Sequence, residues 1–177
     1  MSMGNIEIER KFLVNDDSYK QAAVSCVEIS QGYLSLNERC SVRVRTWNDK
    51  AYITIKSKTL KGSFSRYEFE QEIPLDDARQ LLALAMPGII EKKRWIVPLN
   101  KQLVCEVDEF FGLNKGLLLA EIELQSEQQS YPTPAFLGQE VTFDKRYFNS
   151  YLSQHPYCLW NENEQQQVCR YPNARLQ

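Results

Sequence analysis

Like charges recur two residues apart along this chain: Glu7 and Glu9, Arg43 and Arg45, Lys56 and Lys58, Lys92 and Arg94, Glu106 and Asp108, Glu121 and Glu123. Glu68, Glu70 and Glu72 form a triple next to Arg66. On an extended strand such residues share a face and lie roughly 7 Å apart. Like charges at that spacing repel by roughly 0.6 kcal/mol in water, and by about four times that at an effective dielectric of 20. Alternating strands commonly turn their charges to water and their apolar face to a core, but a face built only for solubility gains by interspersing signs. This chain sorts them instead. Two compensations make sorting favourable. Hard cations bridge acidic pairs by taking several carboxylate oxygens, and an anion with many oxygens bridges basic pairs, for which the arginine fork is suited. A metal-bound polyphosphate satisfies both sets at once. Since each desolvated ion costs several kcal/mol, charges on an enclosed face require such a guest, and the apolar faces of the same strands then pack outward against helices.

The elements that position these pairs are short alternating runs, the period of half-buried strands. Asn5 to Leu13, Gln31 to Leu36, Ser41 to Trp47, Tyr52 to Lys58, Ser65 to Ile73, Ile89 to Val97, Leu103 to Phe110 and Leu117 to Leu124 give about eight. Lys61-Gly62-Ser63, Pro98-Leu99-Asn100-Lys101 and Gly112 to Gly116 supply turn material between them. Helices are brief. One starts near Asp76-Asp77 and ends at Pro87-Gly88, one is capped by Asp144 and carries Tyr147, Phe148, Tyr151 and Leu152, and a short one lies around Asp16 to Ala23. The fold expected is mainly β with a few helices: a closed eight-stranded antiparallel barrel with the helices outside, wide enough for one small ligand.

Length and composition fit one domain, residues 1–156, followed by a polar, Gln-rich extension over 157–177 to which no role is assigned. A formal charge of −2 argues against a general nucleic-acid or membrane-surface binder. No stretch approaches the roughly 18 apolar residues of a membrane span, and Met1 to Arg10 lacks the apolar core of a secretory signal. The five cysteines are odd in number with no C-x-x-C pair, which fits reduced thiols in the cytoplasm and gives a zinc site no support. His155, the sole histidine, reads as a surface or capping residue. Trp47, Trp95 and Trp160 read as packing groups, and Tyr147 and Phe148 as helix packing against the barrel wall.

Glu7-x-Glu9-x-Lys11 resembles the E-x-E-x-K signature of the CYTH superfamily, the triphosphate tunnel metalloenzymes. The resemblance continues in order through Gln31-Gly32-Tyr33-Leu34, Arg43-x-Arg45, Thr54-Ile55-Lys56-Ser57-Lys58, Arg66-x-Glu68-x-Glu70, Lys92-x-Arg94, Val107-Asp108-x-Phe110, Glu121-Ile122-Glu123-Leu124 and Val141-Thr142-x-Asp144-x-Arg146-Tyr147. It covers roughly residues 5 to 152 and is strongest to the short, single-domain bacterial members.

The resemblance implies an eight-stranded tunnel and metal-dependent triphosphate hydrolysis with Mg²⁺ or Mn²⁺, two per site. Glu7, Glu9, Glu121 and Glu123 match the metal-binding carboxylates, with Glu68, Glu70 and Asp108 as further tunnel carboxylates. Lys11, Arg43, Arg45, Lys56, Arg66, Lys92 and Arg94 match positions that grip phosphate, and Lys58 fits by strand parity. Tyr33 matches a tyrosine that partners the signature lysine near the attacking water, so Lys11 with Tyr33, or Glu70, orients that water. The implied substrate is inorganic tripolyphosphate, or a nucleoside or thiamine triphosphate. The alternatives are a class IV-type adenylate cyclase and a non-catalytic polyphosphate or nucleotide sensor. The resemblance also points to a homodimer.

Overall fold

The computed structural model describes residues 6–57 and 65–160, with side chains over 8–57 and 67–160. Lys58, the Lys61-Gly62-Ser63 turn and the Gln-rich tail therefore lie outside the described residues, as do the side chains of Glu7 and Arg66. Nine strands follow one another: β1 (Ile6–Val14), β2 (Ser25–Leu36), β3 (Cys40–Trp47), β4 (Lys50–Ser57), β5 (Ser65–Glu72), β6 (Ile90–Pro98), β7 (Val104–Phe110), β8 (Leu118–Glu123) and β9 (Leu137–Glu140). They form one antiparallel sheet in the order β5-β4-β3-β2-β6-β7-β8-β1-β9, and β5 pairs in addition with β1 through Ile6–Tyr67, Glu7–Arg66 and Ile8–Ser65.

All eight expected strands are present; the ninth is a correction to that number. β8 occupies one edge of β1 over Glu9 to Leu13, and β5 reaches only Ile6 to Ile8 on the other. The rest of that second edge would expose bare peptide groups. β9 covers it with rungs at Phe12 and Val14, and Val141 N–H donates to the Lys11 carbonyl just beyond. Four residues including Gly138 carry no alternation a sequence pattern can register.

Sheet polarity is inverted, as the charge sorting requires. Val107, Cys105, Ala120, Ile122, Phe12 and Val97 pack under Tyr19 of helix α1 (Tyr19–Ala22) and under Phe136. Val44, Ala51 and Ile53 meet Ala78, Leu81 and Leu82 of helix α2 (Leu75–Ala83). Asp76 and Asp77 lie in the first turn of α2, where they complement the helix dipole, and Pro74 holds the N-cap position without a side-chain bond.

The helix expected after Asp144 is broken in two. Asp144 accepts from the Arg146 N–H and caps a 3-10 turn, Lys145–Tyr147; Phe148 is extended, and α3 (Asn149–Leu152) follows. The packed chain runs on to Trp160, whose ring lies edge-on to Tyr147 at 5.4 Å, while Tyr157 N–H donates to Asn114. A third cluster gathers Leu13, Ile90, Phe110, Leu119, Tyr147 and Leu152.

Two glycines permit these contacts. A Cβ on Gly32 of β2 would stand 2.7 Å from Ala85 Cβ and from Ile89 Cδ1, so Gly32 lets the chain after α2 lie directly on the sheet. Gly88 adopts φ +100° and meets the Ser153 carbonyl where a Cβ would come within 1.7 Å, which joins that segment to α3. Gly32→Ala is expected to lower stability by about 1–3 kcal/mol through overpacking, read as a shift in the urea midpoint. An unchanged midpoint would disprove the close approach.

Candidate functional site

Strand alternation brings the sorted charges to one enclosed face. They line a cavity of about 450 Å³ with Glu9 and Lys11 from β1, Tyr33 from β2, Ser41, Arg43, Arg45 and Trp47 from β3, and Lys56 from β4. Glu68 and Glu70 come from β5, Arg94 from β6, Glu106 from β7, and Glu121 and Glu123 from β8. The segment at α3 contributes Phe148, Asn149 and Ser150.

One wall is organised around Glu121 and Arg94. The Glu121 carboxylate lies 2.8 Å from Lys11 Nζ and 2.8 Å from Arg94 Nη2. Burial alone would raise Glu121, but Lys11 and then Arg94 and Lys92 outweigh it and hold the carboxyl well below its usual range. Arg94 also donates through Nε and Nη2 to Asp108, both at 2.7 Å, and through Nη1 to Glu106. Lys92 Nζ lies 2.5 Å from Asp108 Oδ2. Burial, reinforced by the neighbouring Arg94, pushes Lys92 down to about 8 despite that carboxylate. Lys92 is 3% exposed and Asp108 1%, and neither reaches the cavity surface. They form a layer beneath it that fixes Arg94. Two rungs in this region set carboxylates directly opposite one another, Glu9 with Glu123 and Glu106 with Glu121.

The other wall is basic with interleaved acids. Arg45 Nη2 donates to both oxygens of Glu70 at 3.0 Å, and its guanidinium lies 4.9 Å from the Trp47 ring and 5.5 Å from Tyr52. Arg43 Nη2 lies 3.8 Å from Glu70 and donates to Thr54 Oγ1 at 3.2 Å, and that hydroxyl donates to Glu70 at 2.7 Å. Burial by itself raises Glu70, but Arg45, the Thr54 hydroxyl and Arg43 bring it below the usual carboxylate range. A carboxylate so held is a weak proton acceptor near neutral pH and a firm anchor for two arginines. Lys56 pairs with Glu68 at 2.9 Å.

Of the residues singled out in sequence, Glu9, Lys11, Tyr33, Arg43, Arg45, Lys56, Glu68, Glu70, Arg94, Glu121 and Glu123 meet at the cavity, while Lys92 and Asp108 stand behind its wall. Phe148 and Trp47 correct their reading as packing groups, because both line the cavity. Phe148 starts a new helix instead of lying inside one, so it turns toward Lys11, whose Nζ is 5.3 Å from its ring centre. Trp47 shares the parity of Arg43 and Arg45, a signal present in the spacing. Thr54 carries the same kind of signal, two residues before Lys56.

The fit to hard divalent cations rests on the two carboxylate–carboxylate rungs and the all-oxygen acidic donor set. Among the described residues no three carboxylates gather as a ready-made cage.

An antiparallel sheet that turns its charges inward, with opposed carboxylates on one wall and arginines on the other, defines a protein built to enclose a polyanion with cations. Residues 5–155 match the CYTH domain, and the chain belongs to that family. It is 44% identical to an inorganic triphosphatase of Acetivibrio thermocellus over 157 residues, covering 88% of this chain and 98% of that protein. An inorganic triphosphatase of Nitrosomonas europaea is 34% identical over 150 residues, covering 83% and 96%. The crystal structure of the inorganic triphosphatase NE1496 superposes with a TM-score of 0.59 at 32% identity, covering 83% of this chain and 93% of that one.

The Thr54 hydroxyl is the hinge between Arg43 and Glu70. Thr54→Val keeps the shape and removes both hydrogen bonds. It should lower kcat/KM for triphosphate hydrolysis about tenfold or more while leaving the melting temperature within a few degrees. Wild-type kinetics in that variant would disprove the hinge.

Proposed function

We propose that this protein hydrolyses a terminal phosphoanhydride bond of a short triphosphate, inorganic tripolyphosphate first, by metal-assisted phosphoryl transfer. The observation that carries this is the cavity wall itself, in which Arg43, Arg45 and Lys56 face a space shared with the opposed pair Glu9 and Glu123. The two similar proteins named inorganic triphosphatase, each matched over nearly its whole length, agree with it. The β1–β5 rungs support closure of eight strands into a tunnel, with β9 as an outer addition.

Phosphoryl transfer of this kind asks the protein mainly to position the chain and offset charge on the transferred group. Arg43, Arg45, Lys56 and Arg94 have the fork geometry or point charge for phosphate oxygens. They are held by Glu70, Glu68, Glu106, Asp108 and Glu121, so binding would be an exchange of partners and not the capture of idle cations. Glu9, Glu121 and Glu123, together with Glu7, would hold Mg²⁺ or Mn²⁺. When bound, such ions neutralise phosphate charge and acidify a coordinated water. Lys11, anchored between Glu121 and the Tyr147 carbonyl, and Tyr33, opposite Arg43 in register, would orient the attacking water. Glu70, bound to Arg45, serves as anchor.

The direct test is product analysis with tripolyphosphate, ATP and thiamine triphosphate, each with and without Mg²⁺. Magnesium-dependent release of phosphate from tripolyphosphate is expected; cyclic AMP from ATP, or binding without turnover, would replace the proposal. Glu9→Gln should abolish metal-dependent turnover, and Arg43→Ala should cost about a thousandfold in kcat/KM, by the scale of arginine contributions to phosphoryl transfer. Full activity in either variant removes that residue from the mechanism.

A further inference from the structure

Gln31 stands on β2 two residues before Tyr33 and shares its inward face; it lies opposite Arg45 in register, with Tyr33 opposite Arg43 two rungs along. Its side chain is fully buried, and neither its carbonyl Oε1 nor its amide Nε2 has a hydrogen-bond partner. The Nε atoms of Arg43 and Arg45 are buried without a partner as well. Four of the seven such side-chain atoms among the described residues thus fall on two rungs that are neighbours on one face of a single strand pair. Native proteins leave few buried polar groups unpaired, and an internal water typically satisfies about three of them.

Three of these four atoms, the two arginine Nε and Gln31 Oε1, are chemically complementary through one molecule. Two guanidinium N–H groups donate, a carbonyl accepts, and a single water can take both donations and give one proton to Gln31 Oε1. A core-filling role explains the amide poorly. Its same-face neighbour Ile29 and its register partner Ile90 are apolar, and an apolar side chain at Gln31 would avoid the cost of an unpaired buried amide. A carboxylate there would add a second anion to Arg45 beside Glu70, whereas an amide orients a water without adding charge.

We propose that Gln31 is a positioning residue: through one internal water it fixes the Nε edges of Arg43 and Arg45 from behind the wall, so that their outer nitrogens are presented to phosphate oxygens. This rests on the reading of the cavity as a phosphate site.

The test combines Gln31→Leu and Gln31→Glu with a high-resolution crystal structure of the wild-type protein. The leucine variant should melt at or above the wild-type temperature while its KM for tripolyphosphate rises about tenfold, the scale of one lost hydrogen bond to a charged group. The glutamate variant should raise KM further by occupying Arg45. A merely structural glutamine would give the opposite split, with lower melting and unchanged KM, and that result overturns the proposal. If Gln31→Leu does not fold, Gln31→Met supplies the same comparison. In the crystal, a water within roughly 3 Å of the Gln31 amide and both Nε atoms supports the assignment; an amide bonded directly to protein, or a dry space, refutes it whatever the kinetics. A wild-type protein without triphosphatase activity sinks the functional reading alone, and the crystal still decides the role of Gln31.

Discussion

Everything in this molecule answers to the cost of crowding many ionised side chains onto one largely buried face. Desolvating one costs several kcal/mol, and removing one partner of a buried pair costs about 3–5. The chain meets this by pairing its charges with one another across the cavity wall. Glu121 is shared by Lys11 and Arg94, Asp108 by Lys92 and Arg94, and Glu70 by Arg43 and Arg45. Each of these three acids has two cations to choose between. Under the proposed function, a polyphosphate with metal ions would replace each protein pair by a phosphate contact for the cation and a metal contact for the carboxylate, and no charge would be stranded during the exchange. Either component alone would leave half of the groups unpaired.

That arrangement dictates the outside as much as the inside. Because the strands spend their polar face on the cavity, their apolar face must be covered elsewhere, and α1, α2 and the segment around Phe136 do so. Helices too short to be stable alone suffice because they are lids on a preformed apolar surface. Gly32 shows how tight the fit is: removal of one side chain lets the chain beyond α2 rest on the sheet.

The strand set and most of the cavity lining could be read from the chain, because alternation with period two is a strong code and charge sorting marks the face it applies to. Arg43, Arg45, Lys56, Glu68, Glu70, Glu121 and Glu123 all follow from parity. What parity cannot convey is depth along a strand. Lys92 and Arg94 share a face, yet one lies under the wall and the other in it, since β6 descends toward the apolar cluster of Ile90, Phe110 and Leu119. Nor does a local pattern register contacts set by distant sequence. β9 exists because β5 stops short on β1, and Phe148 enters the cavity because the chain breaks between two short turns.

Lys11 is gripped from three directions by a stretch more than a hundred residues later. Its amide donates to Thr142 Oγ1, its carbonyl accepts from Val141, and its ammonium reaches the Tyr147 carbonyl. The same stretch supplies Phe148, Asn149 and Ser150 to the cavity. Lys11 is thus set by the segment from Val141 to Tyr147 as much as by its own strand, and the cavity wall is complete only once that segment has docked on β1.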